Sequence, residues 1–435
     1  MTAPVTEISD NATSLQKNFL QRPYRVYSLL LIGFLVFGFT QASLEEIIHG
    51  MREIWFLHPD ILVSDYIAVG GLGAAFVNAA ITGLFSVLVF VLSKHEPGGL
   101  FFGTLGLITG IALFGKNPLN MAPIILGGFL YSAVTKKPFK NCVLYTMLAT
   151  CLAPAVTQLA YVDHIPTNIG IAVGILVGVF IGFIVIPLCS FLRAAHGGYN
   201  LYNVGFGTGI LAIGIKVVYQ LLGVRFTPIG VWSEGYETIL NIIMIATSLY
   251  FIVCGLLSKG TGTFMQMAYM KTDNVDYYGQ FGGRSYINMG VLGLYCFVLV
   301  MAVGGINNGP ILGGAISVIG FGGFGKRVLS ALPLTIGTMI AAWGAFLATG
   351  TAFNSRGFIV AFIFVSCLSP FATKFGWLWG IAAGIVHLSF VASIGVYHGG
   401  MNLYNNGLAG GLAMMVLVPL ALAVSESKEK KMEKA

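Results

Sequence analysis

Charge is scarce in this chain. Asp, Glu, Lys and Arg make up 9% of its 435 residues, against about 25% in soluble domains. Hydrophobic residues reach 56% and the mean hydropathy is +0.85. One water-soluble core cannot hide that much apolar surface, because such cores stop growing at about 250–300 residues. Lipid is therefore the solvent for most of it.

Other absences narrow the function. No carboxylate sits near the centre of an apolar run: Glu45, Glu46, Asp65, Glu237 and Asp276 fall at run ends or in loops. This argues against proton symport through an intramembrane carboxylate relay. It leaves open Na⁺ held by backbone carbonyls, or facilitated passage. The six cysteines (Cys142, Cys151, Cys189, Cys254, Cys296, Cys367) show no CxxC or metal-ligand spacing and lie in apolar runs. They read as small buried side chains, and neither a metal nor a cofactor is expected. GFGGFG from Gly320 is no nucleotide loop, since no strand precedes it. The formal charge of +7 lies mostly in short loops and tails, so no nucleic-acid partner is expected. Thr40-Gln41-Ala42-Ser43 has the look of a signal-peptidase site, but the long leader with Glu7 and Asp10 favours an uncleaved first span.

What is abundant is glycine, at 58 residues, placed inside the apolar runs, where it lets helix backbones approach closely. Runs long enough to cross a bilayer fall at 25–43, 66–93, 98–115, 118–135, 140–161, 167–192 and 198–222. The second half repeats the count at 236–257, 284–304, 310–324, 328–348, 357–373, 376–395 and 399–424. The expected fold is all-α and transmembrane, with about fourteen helices. A tail (1–24), a seven-span half (25–222), a connecting loop (223–235), a second seven-span half (236–424) and a charged tail (425–435) divide the chain.

With the N-terminus inside, Lys17, Arg22, Arg25, Lys94, Lys136, Lys137, Lys140, Arg193, Lys259, Lys271, Arg284, Lys326, Arg327 and Lys374 gather on one side. The opposite side collects Glu45, Glu46, Glu53, Asp60, Asp65, Asp163 and Glu234. By the positive-inside rule both termini are expected in the cytoplasm, the protein residing in the cytoplasmic membrane.

An internal repeat runs through both halves. His196-Gly-Gly-Tyr-Asn-Leu-Tyr-Asn-Val-Gly205 returns as His398-Gly-Gly-Met-Asn-Leu-Tyr-Asn-Asn-Gly407, with eight of ten positions identical. Lys140 with Cys-Leu-Ala-Pro154 matches Arg356 with Cys-Leu-Ser-Pro370. Phe114-Gly115-Lys116 matches Phe324-Gly325-Lys326. GIAVGI from Gly170 is aligned with GIAAGI from Gly380, and YIAVGGLG from Tyr66 with YINMGVLG from Tyr286. Seven spans per unit is an odd number, so the second copy enters the membrane from the other side as an inverted repeat.

The repeat marks the candidate site. Asparagines three apart share a helical face, so Asn200 with Asn203, and Asn402 with Asn405, are expected to project together into a solute path. A carboxamide buried without partners costs several kcal/mol, which turns them away from lipid. His196 and His398 lie near opposite faces and cannot form one catalytic pair, so they are expected to cap or gate. The short third and tenth runs carry Gly110 and Gly320 at matched places, and discontinuous helices around a central site are expected there. Lys216, inside the seventh run, either meets a ligand or snorkels to the interface. The segment SLEEIIHGMREIWFLHPD from Ser43 reads as an interfacial amphipathic helix.

The stretch PDILVSDYIAVGGLGAAFVN from Pro59, with two HGGxNLYNxG elements, resembles an uncharacterised bacterial family of polytopic membrane proteins, filed as a domain of unknown function. NLYNVGFGTG and NLYNNGLAGG are similar to the GLYGFN-type elements of urea transporters, which implies a urea-like channel. Seven-plus-seven inverted repeats with special third and tenth spans are similar in architecture to nucleobase and sulfate transporters, an analogy of fold alone. The expected function is a non-enzymatic transporter of a small polar or anionic solute, its site between the halves near the bilayer midplane. The channel is the alternative, and a membrane-embedded enzyme or sensor the reading from another class. The expected partners are the lipid bilayer, the small-molecule solute and a further copy of the chain in a homo-oligomer.

Overall fold

Capping side chains and prolines decide where the apolar runs become helices. The computed structural model describes residues 22–56, 64–160, 162, 165–226, 230–271 and 275–432. Ser43 and Glu46 form a capping box at the start of Leu44–Trp55. Asn117 and Asn120 exchange two bonds of 3.0 Å where Pro118 opens the helix Pro118–Thr135, an arrangement that occupies two amides which the helix leaves unbonded. Sequence features at Lys17, Asp60, Asp163, the 1–21 tail, the 57–60 end of the amphipathic segment and the last three residues lie outside the described residues.

Among the described residues all secondary structure is helical. Eleven helices among these residues are long and apolar enough to cross a membrane, and three shorter apolar ones are Gly99–Ile111, Val143–Thr157 and Gly309–Gly322. Together they occupy the fourteen apolar runs. The chain is a multi-pass membrane protein. The amphipathic segment is a helix, Leu44–Trp55, with Ile47, Gly50 and Ile54 buried. Trp55 Nε1 donates to Asn78 Oδ1 at 2.9 Å, so the segment is fastened to the helix Tyr66–Leu92.

The Gly99 and Gly309 helices pack against each other and are buried along their lengths, Leu100 alone being partly exposed. At 1.5 Å per residue each is about 20 Å long, short of the hydrocarbon core of about 30 Å. A methyl group on Gly110 would stand 2.1 Å from the Gly313 carbonyl oxygen, and one on Gly320 would stand 2.3 Å from that of Phe102. Glycine here brings two backbones into contact, and neither helix is interrupted, contrary to the discontinuity expected of the third and tenth runs.

The interruptions lie elsewhere, again in matched pairs. Gly71 and Gly282 have φ of 84° and 59° inside or between helical stretches, a conformation that favours glycine. Ahead of Pro154 and Pro370 the helix tightens into 3₁₀ turns at Thr150–Leu152 and Val365–Leu368, because proline supplies no amide to continue the ladder.

Matched contacts also correct two registers of the repeat. Asn78 Nδ2 bonds the carbonyls of Ala112 and Lys116 at 2.7 and 2.8 Å, and Asn288 Nδ2 bonds those of Gly322 and Lys326 at 2.8 Å each. With Asp65 and Asp276 each capping the helix that follows, the partner of Tyr66 is Tyr277, not Tyr286. Likewise Gly178 meets Pro123 as Gly380 meets Pro333, so GIAAGI from Gly380 pairs with the glycines at 178 and 182, not with Gly170. Short apolar words recur by composition alone, and only contacts fix which copy is equivalent.

Candidate functional site

The two HGGxNLYNxG elements fold identically. Gly197 and Gly198 take φ of 59° and 80°, and Gly399 and Gly400 take 59° and 77°, turning the chain before each helix. Helices start at Asn203 and Asn405, so Asn200 and Asn402 precede them and share no helical face with Asn203 and Asn405. The pairs divide their work. Asn200 Nδ2 reaches across to the Gly407 carbonyl at 2.9 Å, and Asn402 Nδ2 to that of Gly205 at 3.3 Å. Asn203 and Asn405 bond within their own halves. His196 Nε2 meets Asn203 Oδ1 at 2.8 Å and His398 Nε2 meets Asn405 Oδ1 at 2.9 Å. Each imidazole Nδ1 accepts the amide of Asn200 or Asn402 at 3.4 Å, so each ring carries its proton on Nε2. The other end of Asn203 donates to the Cys189 carbonyl at 3.0 Å, and that of Asn405 to Val391 at 3.4 Å.

Each half completes the other. The 3₁₀ turns leave the Cys151 and Cys367 carbonyls outside the helical ladder, and these accept the amides of Leu403 and Leu201 at 3.1 and 2.9 Å. Asp276 Oδ1 takes the Gly99 amide at 2.6 Å and Asp65 Oδ2 the Gly309 amide at 3.1 Å, so a carboxylate of one half caps the short helix of the other. Backbones of the Asn203 and Asn405 helices touch at Gly205 and Gly407.

Lys116 and Lys326 are the residues whose role the sequence does not announce. Both are wholly buried, whereas charge counting uses Lys326 only to assign a side of the membrane. Asn78 and Asn288 pin the turns that carry the two lysines. Lys116 Nζ donates to Tyr404 Oη at 3.1 Å and lies 4.9 Å from its ring centre. Lys326 Nζ donates to Tyr202 Oη at 2.8 Å and lies 4.6 Å from that ring. Lysine and phenol thus pair across the halves, each amine also lying over the ring face. The signal was present in the sequence as the recurring Phe-Gly-Lys and the tyrosine inside NLYN.

Cavities follow the same plan, with one difference between the halves. A pocket of about 100 Å³ is lined by Arg193, His196, Asn200 and Asn203. Its counterpart of about 390 Å³ is lined by His398, Asn402, Asn405 and Asn406. Tyr202 and Tyr404 line a cavity of about 10 Å³, which shares Phe364, Leu403 and Asn406 with the larger pocket. Asn406 stands where the first half has Val204. It is 7% exposed and its Oδ1 has no partner among the described residues, while its carbonyl meets Nε2 of the buried His387 at 3.3 Å. A basic hollow of about 580 Å³ with Arg193, Lys271 and Lys374 adjoins the His196 pocket. Gly110 and Gly320 line none of these cavities, and Lys216 Nζ is taken up by the Val396 carbonyl.

No curated protein and no solved structure matches the chain. A family model does, over residues 43–221 and 238–423, one stretch in each half, and the chain belongs to the family described as protein of unknown function (DUF1576).

Proposed function

We propose that the protein is a transporter for a small polar or anionic solute, built from two seven-span halves of opposite orientation in the cytoplasmic membrane. The observation that carries this reading is that the HGGxNLYNxG elements, which meet at Gly205 and Gly407, line three cavities. One pocket lies at each HGGxNLYNxG turn, and the tyrosines of both elements line a third, smaller cavity. The three short helices complete fourteen crossings, and both termini face the cytoplasm. The His196 pocket then opens inward beside Arg193, Lys271 and Lys374, and the His398 pocket opens outward.

Unequal pockets support alternating access. The central cavity shares walls with the wider His398 pocket, so this conformation leans toward the outer side, and a mirrored exchange of the two packings would turn it inward. The halves interlock through paired bonds that can be remade in exchanged form. No carboxylate lines the three pockets, which favours an anionic or neutral solute over a cation.

Flux in proteoliposomes tests the reading. Chloride, nitrate, formate, acetate, urea and glycerol would be screened as labelled solutes or by swelling. Saturable uptake of at least one, accelerated by the same solute on the far side, is expected of a carrier. Non-saturating flux without counterflow would replace it with a channel, and no flux of any of the six would count against transport of small polar solutes.

A further inference from the structure

We propose that the cavity between Tyr202 and Tyr404 is a binding site for a halide-sized anion, a proposal that names the solute class for the transport reading and rests on it. Each phenol oxygen already accepts a proton from a lysine, at 3.1 Å for Tyr404 and 2.8 Å for Tyr202. A hydroxyl that accepts in this way still has its own proton to give. Among the described residues no side chain or carbonyl takes either proton. Both tyrosines line one small space, and each hydroxyl has a buried lysine against it.

The backbone adds to this field. Tyr202 immediately precedes the helix Asn203–Leu221, and Tyr404 precedes the helix that starts at Asn405, so the positive ends of two long helices meet at the cavity. Asn406, nine-tenths buried with its Oδ1 unpartnered, lines the same space. Its amide can turn over to present N–H instead of oxygen. A volume of about 10 Å³ holds about one water-sized particle, which matches chloride or bromide and leaves out a bulky carboxylate. Asn406 has only Val204 as its counterpart in the first half, so this polar arm serves one side of the cavity.

The test is binding, read without flux. The purified full chain in detergent is unfolded by heat in rising sodium bromide, with sodium gluconate holding ionic strength constant. Bromide should raise the midpoint progressively, chloride should do the same, and gluconate alone should not. Lys116→Met and Lys326→Met should each abolish the bromide response, while Tyr404→Phe should weaken apparent affinity about tenfold to a hundredfold, the loss of one charge-assisted hydrogen bond. Tyr404→Phe keeps the ring in place and decides the matter if a lysine variant does not fold. Equal stabilisation by bromide and gluconate, or an unchanged bromide response in Tyr404→Phe, would overturn the site. Bromide binding without flux of any solute would leave the site standing and defeat transport. Saturable flux of urea or glycerol without bromide binding would do the reverse.

Discussion

Asn203 and Asn405 show how far residue type predicts role. Both line pockets, as expected of path residues, yet both ends of each amide are held by protein: a histidine on one side and a carbonyl on the other. Replacing either with Leu strands an imidazole N–H and a carbonyl, at about 1–3 kcal/mol for each unsatisfied buried group. Asn203→Leu and Asn405→Leu should therefore lower the thermal unfolding midpoint of the purified protein. An unchanged midpoint in both would show that these bonds carry no stability and return the amides to the solute. The asparagines are legible in the sequence as polar helix starts. Their division of labour is not, because the helix begins three residues later than spacing implies, and the Gly-Gly turn sends Asn200 and Asn402 across to the opposite half. The burial of Lys326 is not legible in the sequence for a related reason. Lysine counting assigns sides from loops, and a lysine in a buried turn between two helices looks the same in sequence as one at the surface.

At the scale of the helix, glycine density suggests broken spans but in fact marks a crossing of two continuous helices. Sequence cannot separate these, since both need small residues. The distinction makes a prediction of sign. Gly→Ala in an open helical position gains about 0.5–1 kcal/mol, and at Gly33 and Gly214 an added methyl would have nothing within 4 Å. Gly110 and Gly320 would press a methyl against a carbonyl at 2.1 and 2.3 Å, and overpacking of this kind costs about 1–3 kcal/mol or more. Gly33→Ala should hold or raise the unfolding midpoint, and Gly110→Ala and Gly320→Ala should lower it. Equal effects at all three sites would contradict the crossing. A second ranking concerns the caps. Asp65 accepts from the Ile67, Gly309 and Ser233 amides and from the Ser233 hydroxyl, whereas Asp276 accepts from Gly99 and Gly279. Asp65→Ala should destabilise more than Asp276→Ala in the same unfolding assay, and the opposite order would mean that these bonds do not set the cost.

For the whole molecule, composition and run length are enough to give an all-helical membrane chain, and one ten-residue element is enough to reveal a repeat. Depth of burial and bonds across the halves are not legible, because they depend on which surfaces meet. The proposed transporter requires halves that are inverted about the cavity lined by Tyr202 and Tyr404. Lys140 and Arg356 precede equivalent 3₁₀ turns, so inversion puts them on opposite sides of the membrane. The direct measurement places a single cysteine at each position in turn, in a chain lacking the six native ones, and labels intact cells with a membrane-impermeant maleimide. Inversion predicts labelling of Arg356→Cys in intact cells and of Lys140→Cys only after the membrane is opened. Labelling of both from the same side would contradict it.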